Sequence, residues 1–158
     1  MTDAAVMQCS RTYPVAVEQA FDTVLSVPLE QIFDRRYGPI PPIRSTDGYD
    51  GAWGAAGQTR TVRLAGGATM REELTSVERP NSFGYVLRDV TGPMSPLAAR
   101  VEGLWSFVPA GTGMRITWRW TVHPASRPAA MLLPAFARFW RGFARQGLER
   151  IEDLLVPA

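Results

Sequence analysis

Apolar residues recur at three- and four-residue steps over residues 131–155, which predicts a long amphipathic helix. Arginines occupy the first half of its polar face and carboxylates occupy its last turns, so the charges at both ends oppose the helix macrodipole. We therefore expect packing, rather than intrinsic propensity, to hold this helix in place. Pro134 is expected either to start the helix or to kink it. The predicted apolar face comprises Leu132, Phe136, Phe139, Trp140, Phe143, Gly147, Leu148, Ile151, Leu154 and Leu155.

A different period, in which apolar and polar residues alternate, predicts antiparallel strands over most of the remaining chain. The alternation is clearest over residues 114–123, where Trp118 and Trp120 share the apolar face, and we expect both to be buried against the helix. Between the first strand and the others, two short helices are predicted over residues 17–25 and 29–36. The predicted strands span residues 6–15, 43–49, 58–64, 70–78, 83–89, 99–108 and 114–123.

Short turns join most of these strands, which is typical of an antiparallel meander. A sheet with one apolar face needs a cover, and the long helix is the only predicted element large enough to provide it. A sequence of 158 residues suits one domain with a substantial core better than two domains. We therefore predict a single α+β domain over residues 1–158.

The composition argues against several kinds of site. Apolar residues make up 46% and charged residues 20% of the chain, as in an ordinary globular protein. All 17 basic residues are arginines scattered along the sequence, and the net charge is only +2, which argues against nucleic-acid binding. Cys9 and His123 are each the only residue of their type, so we expect no disulfide, no metal site and no cofactor.

The sequence also bears on cellular location. Residues 1–6 contain an early acid and no long apolar run, so we expect no signal peptide, and no apolar run is long enough to span a bilayer. The use of arginine without lysine, together with abundant Ala, Gly and Pro, suggests a GC-rich genome. We therefore expect a cytoplasmic, bacterial protein that is a monomer or a homodimer.

One predicted hairpin carries charged residues on its apolar face. Val62 and Leu64 set the inner face of its first strand, and the same alternation turns Arg60 inward, as it does Glu72 in the second strand. With Leu64 opposite Met70, Arg60 and Glu72 become diagonal neighbours within side-chain reach. Two interpretations stay open: a rim pair worth roughly 0–1 kcal/mol, or a pair lining a cavity, where deleting one partner costs about 3–5 kcal/mol. We expect an inward contact, in which the arginine lowers the pKa of Glu72.

Several short motifs spread over nearly the whole chain fit one family pattern. They are GQTRTVRL (57–64), a glycine turn, MREEL (70–74) and FGY (83–85), with Tyr13-Pro14 leading into Phe21-Asp22 before them and Gly113, Trp118 and the final helix after them. These motifs resemble the polyketide cyclase/dehydrase branch of the SRPBCC superfamily. The resemblance implies a helix-grip fold, in which a curved antiparallel sheet wraps around a long C-terminal helix and leaves a ligand cavity between them.

The resemblance leaves the chemistry open, because the superfamily includes cyclases and aromatases, lipid carriers and hormone receptors. Glu72 and Tyr85 are the candidate catalytic residues, since a cyclase needs a proton donor and acceptor beside its substrate. The aromatic residues predict a narrow apolar pocket rather than a large one. The candidate ligand-binding residues are Arg60, Glu72, Tyr85, Trp105, Trp118, Trp120, Phe136, Phe139 and Trp140.

Three functions follow as alternatives. The first is a carrier or sensor for a small hydrophobic or aromatic ligand, either a lipid or a polyketide-like molecule. The second is a cyclase or dehydratase, which the Arg60–Glu72 contact disfavours, because a paired Glu72 makes a poor general acid. The third is a membrane-surface or protein-interaction module, which requires residues 131–133 and 139–140 to be exposed. We also expect loop 51–58 or loop 90–97 to flank the cavity opening.

Overall fold

Seven antiparallel strands form one sheet in the order β1-β7-β6-β5-β4-β3-β2, and a long helix covers one of its faces. The computed structural model describes residues 3–157. Met1 and Thr2, which belong to the segment considered for a signal peptide, and Ala158 lie outside the described residues. The elements are β1 (Ala5–Tyr13), α1 (Val17–Ser26), β2 (Ile43–Asp47), β3 (Thr59–Leu64), β4 (Thr69–Glu78), β5 (Ser82–Arg88), β6 (Ala98–Ala110), β7 (Gly113–Pro124) and α2 (Arg127–Leu155). This arrangement confirms the predicted α+β helix-grip fold.

The apolar face of β7 packs against α2 as the alternation predicts. Trp118 and Trp120 are only 3% and 8% exposed, and their rings lie 4.8 and 5.7 Å from the ring of Trp140 in α2. Removing a large apolar side chain from water stabilises a fold by about 1.5–3 kcal/mol, so this contact favours the observed packing strongly. The prediction that both tryptophans are buried against the helix is confirmed.

Irregularities in strand pairing bend the sheet. The register shifts between Ile43 and Ser45 in β2, between Leu74 and Ser76 in β4, and in β6 close to Ala98. A bulge of this kind bends the strand that carries it and increases the local twist. The bends allow the sheet to curve around α2 and leave space between them.

Helix α2 begins earlier than predicted. Ser126 caps it by accepting a hydrogen bond from the backbone N–H of Ala129, and Pro128 occupies the first turn, where a missing N–H costs nothing. The helix therefore starts at Arg127 rather than near residue 131, and Pro134 lies inside it. The alanines of the first turn gave no apolar period from which this start could be predicted.

The first half of α2 is also rotated relative to the predicted face. Leu133 and Ala137 are buried together with Trp140, whereas Leu132 and Phe139 are 62% and 42% exposed. The assignment of Leu132 and Phe139 to the buried face is therefore wrong. The steps from Leu133 to Ala137 and on to Trp140 form an equally regular helical stripe, which is the one that packs inward.

The second predicted short helix is reduced to one 3-10 turn, Leu29–Gln31, followed by irregular chain. This segment packs on glycines of α2: a Cβ at Gly147 would lie 2.4 Å from the Phe33 ring, and a Cβ at Gly142 would lie 2.0 Å from the Tyr37 ring. The two aromatic side chains thus replace the missing side chains of the helix. The segment therefore docks on α2 through aromatic side chains and does not form the predicted helix over residues 29–36.

Candidate functional site

A cavity of about 480 Å³ lies between the sheet and α2. Its volume falls in the lower half of the roughly 300–1,000 Å³ typical of small-molecule sites, and the narrow shape of the pocket stays a prediction. The aromatic side chains do not fill the space because they pack on one another: the Trp105 and Trp118 rings stack at 5.0 Å, and the Phe33 and Phe143 rings at 5.2 Å. The lining is mostly apolar, and its buried aliphatic members are Val24, Val62, Leu64, Met70 and Leu87.

Exposed and partly exposed lining residues mark the mouth of the cavity. They lie in the segment before β2, in the β3–β4 turn and in the β5–β6 loop, and the partly exposed Phe136 of α2 lines the same cavity. Loop 90–97 therefore flanks the opening, as predicted, whereas loop 51–58 contributes the buried Trp53. The mouth residues are Arg36, Pro39, Ile40, Pro41, Ala65, Gly66, Ala68, Thr91, Pro93, Met94 and Leu97.

Arg60 and Glu72 form an ion pair on the buried wall of the cavity. Both residues are 4% exposed, and the Arg60 Nε donates a hydrogen bond of 2.8 Å to the Glu72 Oε1. The Arg60 guanidinium carbon lies 4.0 Å from the centre of the Trp53 ring, which covers it. No other hydrogen bond to either side chain is present among residues 3–157, so the Nη groups of Arg60 and the Glu72 Oε2 are available to a ligand.

The register that brings the two residues together differs from the predicted one. Arg60 lies directly opposite Glu72, and Val62 lies opposite Met70. The predicted diagonal pairing assumed a longer turn over residues 65–69. The Leu64 N–H instead donates to the Ala68 carbonyl, which shortens the turn to residues 65–67. The predicted inward contact is observed, now between directly opposite residues.

The pKa of Glu72 shifts in the opposite direction from the one expected. Burial raises the pKa of the Glu72 carboxyl above its ordinary value, and the Arg60 guanidinium offsets only part of the rise. Removal from water costs a carboxylate several kcal/mol, and one hydrogen bond from an arginine recovers less than a two-bond contact would. Glu72 is therefore both a paired anchor and a carboxyl that takes up a proton more readily than usual.

Tyr85 stands at the centre of a second polar group on the same wall. Its hydroxyl oxygen accepts hydrogen bonds of 2.8 Å from the indole N–H groups of both Trp118 and Trp120. Burial, reinforced by the charge of Glu72, raises the pKa of the Tyr85 hydroxyl, so it keeps its proton at neutral pH. Both acceptor positions of the oxygen are occupied, and Tyr85 lines the cavity, so its O–H can donate to a ligand there.

Gly103 makes this arrangement possible. It lies opposite Tyr85 on β5 and opposite Trp120 on β7, in the strand between them. A Cβ at Gly103 would lie 2.0 Å from the Cζ of Tyr85, so only glycine lets the ring cross β6 to reach the tryptophans of β7. In the sequence, this role is marked only by a glycine within an otherwise bulky apolar face. Which side chain the glycine makes room for can be read only once the strand pairing is known.

Gly103→Ala is expected to lower the free energy of unfolding by about 1–3 kcal/mol, because the added methyl group overpacks the core and displaces Tyr85. Urea denaturation measures the loss, and near-ultraviolet circular dichroism reports the changed setting of the tryptophans. Gly84→Ala on the neighbouring strand is the control, because its Cβ meets only the rotatable Ser76 hydroxyl closely. Equal losses in the two variants would contradict the packing role of Gly103.

The remaining sequence candidates divide clearly. Trp105, Trp118, Trp120, Phe136 and Trp140 all line the cavity, together with Arg60, Glu72 and Tyr85. Phe139 does not line it, because its half-exposed ring lies against Gly38. The sequence reasoning missed Trp53, which lies in a glycine-rich loop without periodicity. A usable signal was Gln58, whose side chain holds that loop by accepting hydrogen bonds from the N–H groups of Gly54 and Ala55.

Other polar candidates lie outside the cavity. His123 pairs with Glu102 on the opposite face of the sheet, and Asp34 lies in irregular chain near Arg150 rather than on a helix. Over residues 3–157, no group of three or more metal-ligating side chains is found. The helices of this part of the chain are too short or too polar to cross a membrane.

The curved antiparallel sheet, the long helix α2 and the cavity between them define the helix-grip class of ligand-binding folds. The chain belongs to the polyketide cyclase/dehydrase and lipid transport family, whose model matches residues 5–156. This match confirms the resemblance found in the sequence. No curated protein matches the chain.

Solved structures share the fold at low sequence identity. Major latex-like protein 151 from Panax ginseng is 13% identical with a TM-score of 0.67, and the match covers 98% of this chain and 99% of that one. Ara h 8.0201 is 14% identical with a TM-score of 0.66 and coverage of 98% and 99%. Protein Ms6760 from Mycobacterium smegmatis is 18% identical with a TM-score of 0.64 and coverage of 99% and 98%. At these identities the likeness concerns the fold alone.

Proposed function

We propose that this protein is a carrier or sensor that binds one small hydrophobic or aromatic molecule, lipid-like or polyketide-like, in the cavity. The observation that carries the proposal is the mostly apolar cavity of about 480 Å³ with a few polar groups on its buried wall. Sites for small molecules combine these two features, since apolar walls supply affinity and a few polar groups fix orientation. The family description, which names polyketides and lipids, agrees with this ligand class.

The polar wall defines what the ligand presents at its inner end. Tyr85 offers an O–H donor, and Arg60 offers guanidinium N–H donors that no residue among 3–157 accepts. Both therefore favour a ligand acceptor such as a carbonyl, a carboxylate or an ether oxygen. The Arg60 Nε is hydrogen-bonded to Glu72, and the guanidinium carbon of Arg60 lies over the Trp53 ring. These contacts preorganise the remaining guanidinium donors, which reduces the entropy cost of binding a ligand.

A cyclase or dehydratase is the second candidate, and the raised pKa of Glu72 favours it. A carboxyl with a raised pKa beside a protonated tyrosine is a plausible donor and acceptor pair for proton transfer at a bound polyketide. The contact with Arg60 favours the carrier, because it keeps a larger share of Glu72 ionised than burial alone would. The two candidates differ in whether the bound molecule changes.

Native mass spectrometry of the purified protein is expected to show one small molecule retained per chain. The mass of that molecule stays constant on incubation if the protein is a carrier. Loss of one water from the molecule, in wild type but not in Glu72→Gln, would instead support the dehydratase. If no preparation contained a bound small molecule, the expectation that the ligand is retained through purification would be wrong. The cavity would then be tested with an added probe.

The fluorescent probe 8-anilino-1-naphthalenesulfonate tests the cavity directly, because it joins an aromatic body to an anionic acceptor group. We expect one site per chain and about tenfold weaker binding in Met94→Trp, where a bulky ring narrows the mouth. Val108→Trp is the matched control, since Val108 is exposed on β6 and does not line the cavity. Equal binding by the two variants would place the probe elsewhere and overturn the proposed site.

A further inference from the structure

Helix α2 carries an apolar surface that residues 3–157 leave largely exposed. Met131 is 82% exposed, Leu132 62% and Phe139 42%, whereas Leu133 and Trp140, whose exposure the interaction-module alternative also required, are buried. Ala135 continues the same side of the helix, because residues 131, 135 and 139 are spaced by four. We call Met131, Leu132 and Phe139 the apolar side of α2.

The apolar side of α2 adjoins the mouth of the cavity. Leu132 lies one turn before Phe136, which lines the cavity. Phe139 lies against Gly38, where a Cβ would be 2.6 Å from its ring, and the next two residues, Pro39 and Ile40, also line the mouth. A partner seated on this surface would therefore sit beside the cavity opening.

Positive charge is concentrated around the same surface. Residues 124–148 contain four arginines and no acidic residue, although the whole chain has a net charge of only +2. Among residues 3–157, no carboxylate lies within 4 Å of Arg127, Arg138 or Arg141, and Arg36 at the mouth is also without such a partner. Arg127 lies in the first turn of α2, where a positive charge opposes the helix macrodipole, so an external anionic partner would offset this unfavourable placement.

We propose that the apolar side of α2, with Arg127, Arg138 and Arg141, docks on a lipid bilayer with anionic headgroups. Exposed Met, Leu and Phe side chains flanked by arginines on one helix are the pattern of an interfacial helix, in which apolar groups enter the headgroup region and arginines pair with anionic lipids. Docking there presents the cavity mouth to the bilayer. The proposal rests on the protein surface and is independent of what the cavity binds.

Vesicle co-sedimentation of the whole chain tests the proposal. The wild type is expected to bind vesicles of phosphatidylglycerol and phosphatidylcholine in equal parts, and to bind pure phosphatidylcholine far more weakly. Arginine near an anionic surface contributes about a fivefold factor in partitioning, so Arg138→Gln/Arg141→Gln is expected to lose more than tenfold. Met131→Ser/Leu132→Ser is expected to lose about tenfold, because the removed apolar groups no longer enter the bilayer.

Matched variants on the far face of the sheet control for charge and hydrophobicity. Arg115→Gln/Arg119→Gln removes the same charge from exposed positions of β7, and Val6→Ser/Val108→Ser removes exposed apolar groups from β1 and β6. Both are expected to bind as the wild type does. Circular dichroism verifies that each variant is folded, since all the substituted side chains are exposed.

Three results would overturn the proposal. The first is the absence of wild-type binding to the anionic vesicles at low ionic strength. The second is an equal loss in the α2 variants and the control variants. The third is a wild-type dimer that Met131→Ser/Leu132→Ser converts to a monomer in analytical ultracentrifugation, because the surface would then be an interface between two copies of this chain.

Discussion

Arg60→Ala is expected to lower the free energy of unfolding by about 3–5 kcal/mol near neutral pH, because it leaves a buried carboxylate without a cation. The hydrogen bond from the Arg60 Nε to the Glu72 Oε1 is the only one that either side chain makes among residues 3–157. In Arg60→Ala, therefore, no other described residue is already hydrogen-bonded to the Glu72 carboxylate and able to compensate its negative charge. Urea denaturation followed by tryptophan fluorescence measures the loss.

The loss in Arg60→Ala is expected to depend on pH with a definite sign. The pKa of Glu72 is raised in the folded protein, so its contribution to stability is fully present below the unfolded pKa and is lost as pH rises through the folded pKa. Removing Arg60 raises the folded pKa of Glu72 further. The variant should therefore approach wild-type stability as the pH is lowered through the raised pKa of Glu72, because Glu72 then becomes neutral.

Arg63→Ala provides the control on the same strand. Arg63 pairs with Asp47 at 2.7 Å, yet both side chains are about half exposed, so solvent screens the pair and no measurable loss is expected. Arg60→Met/Glu72→Leu removes both buried charges and should regain much of the stability lost in Arg60→Ala. If Arg60→Ala were as stable as Arg63→Ala, the ion pair would be a solvated contact and not part of a buried wall.

The faces of the sheet could be predicted from the sequence because strand alternation depends on local backbone geometry alone. Alternation placed Trp118 and Trp120 on the same face of β7 without knowledge of the neighbouring strands. In the same way it turned Arg60 in β3 and Glu72 in β4 toward the interior. The long helix was predictable for the same reason, since its period is local. The family resemblance then supplied the helix-grip arrangement and the expectation of a cavity.

Features that depend on contacts between distant segments could not be predicted in this way. The register of β3 against β4 depended on the length of one turn, and the rotation of α2 depended on which of two helical stripes packs inward. The hydrogen bonds of Tyr85 join β5 to β7, which do not pair with each other, and they require Gly103 in the strand β6 between them. The direction of the Glu72 pKa shift required its burial, which a sequence does not give.

The geometry of the wall explains why carrier and enzyme remain alternatives for one set of residues. A donor from Tyr85 and donors from Arg60 orient a carbonyl equally well for binding and for proton transfer. What separates the two functions is the charge state of Glu72 at the working pH, since a neutral carboxyl can donate a proton and an ionised one anchors Arg60. The pH dependence of ligand affinity therefore reports the charge state of Glu72, which is the property that separates the two functions.

Tyr85→Phe is expected to lower the free energy of unfolding by about 2–4 kcal/mol. The substitution keeps the ring over Gly103 but removes the oxygen that accepts both indole N–H groups. Each buried donor left without a partner costs about 1–3 kcal/mol, and two are left here. We also expect about tenfold weaker binding of 8-anilino-1-naphthalenesulfonate, because the cavity loses its O–H donor. Chemical denaturation and fluorescence titration measure the two effects.

Tyr13→Phe separates these effects from the general cost of losing a tyrosine hydroxyl. The buried Tyr13 O–H donates to the carbonyl of Leu148 at 2.7 Å, a carbonyl within helix α2, and Tyr13 does not line the cavity. Its loss should cost about 1 kcal/mol and leave probe binding unchanged. If Tyr85→Phe matched Tyr13→Phe in both stability and probe affinity, the shared bonds from Trp118 and Trp120 would contribute nothing beyond an ordinary hydrogen bond, and Tyr85 would not contact the ligand.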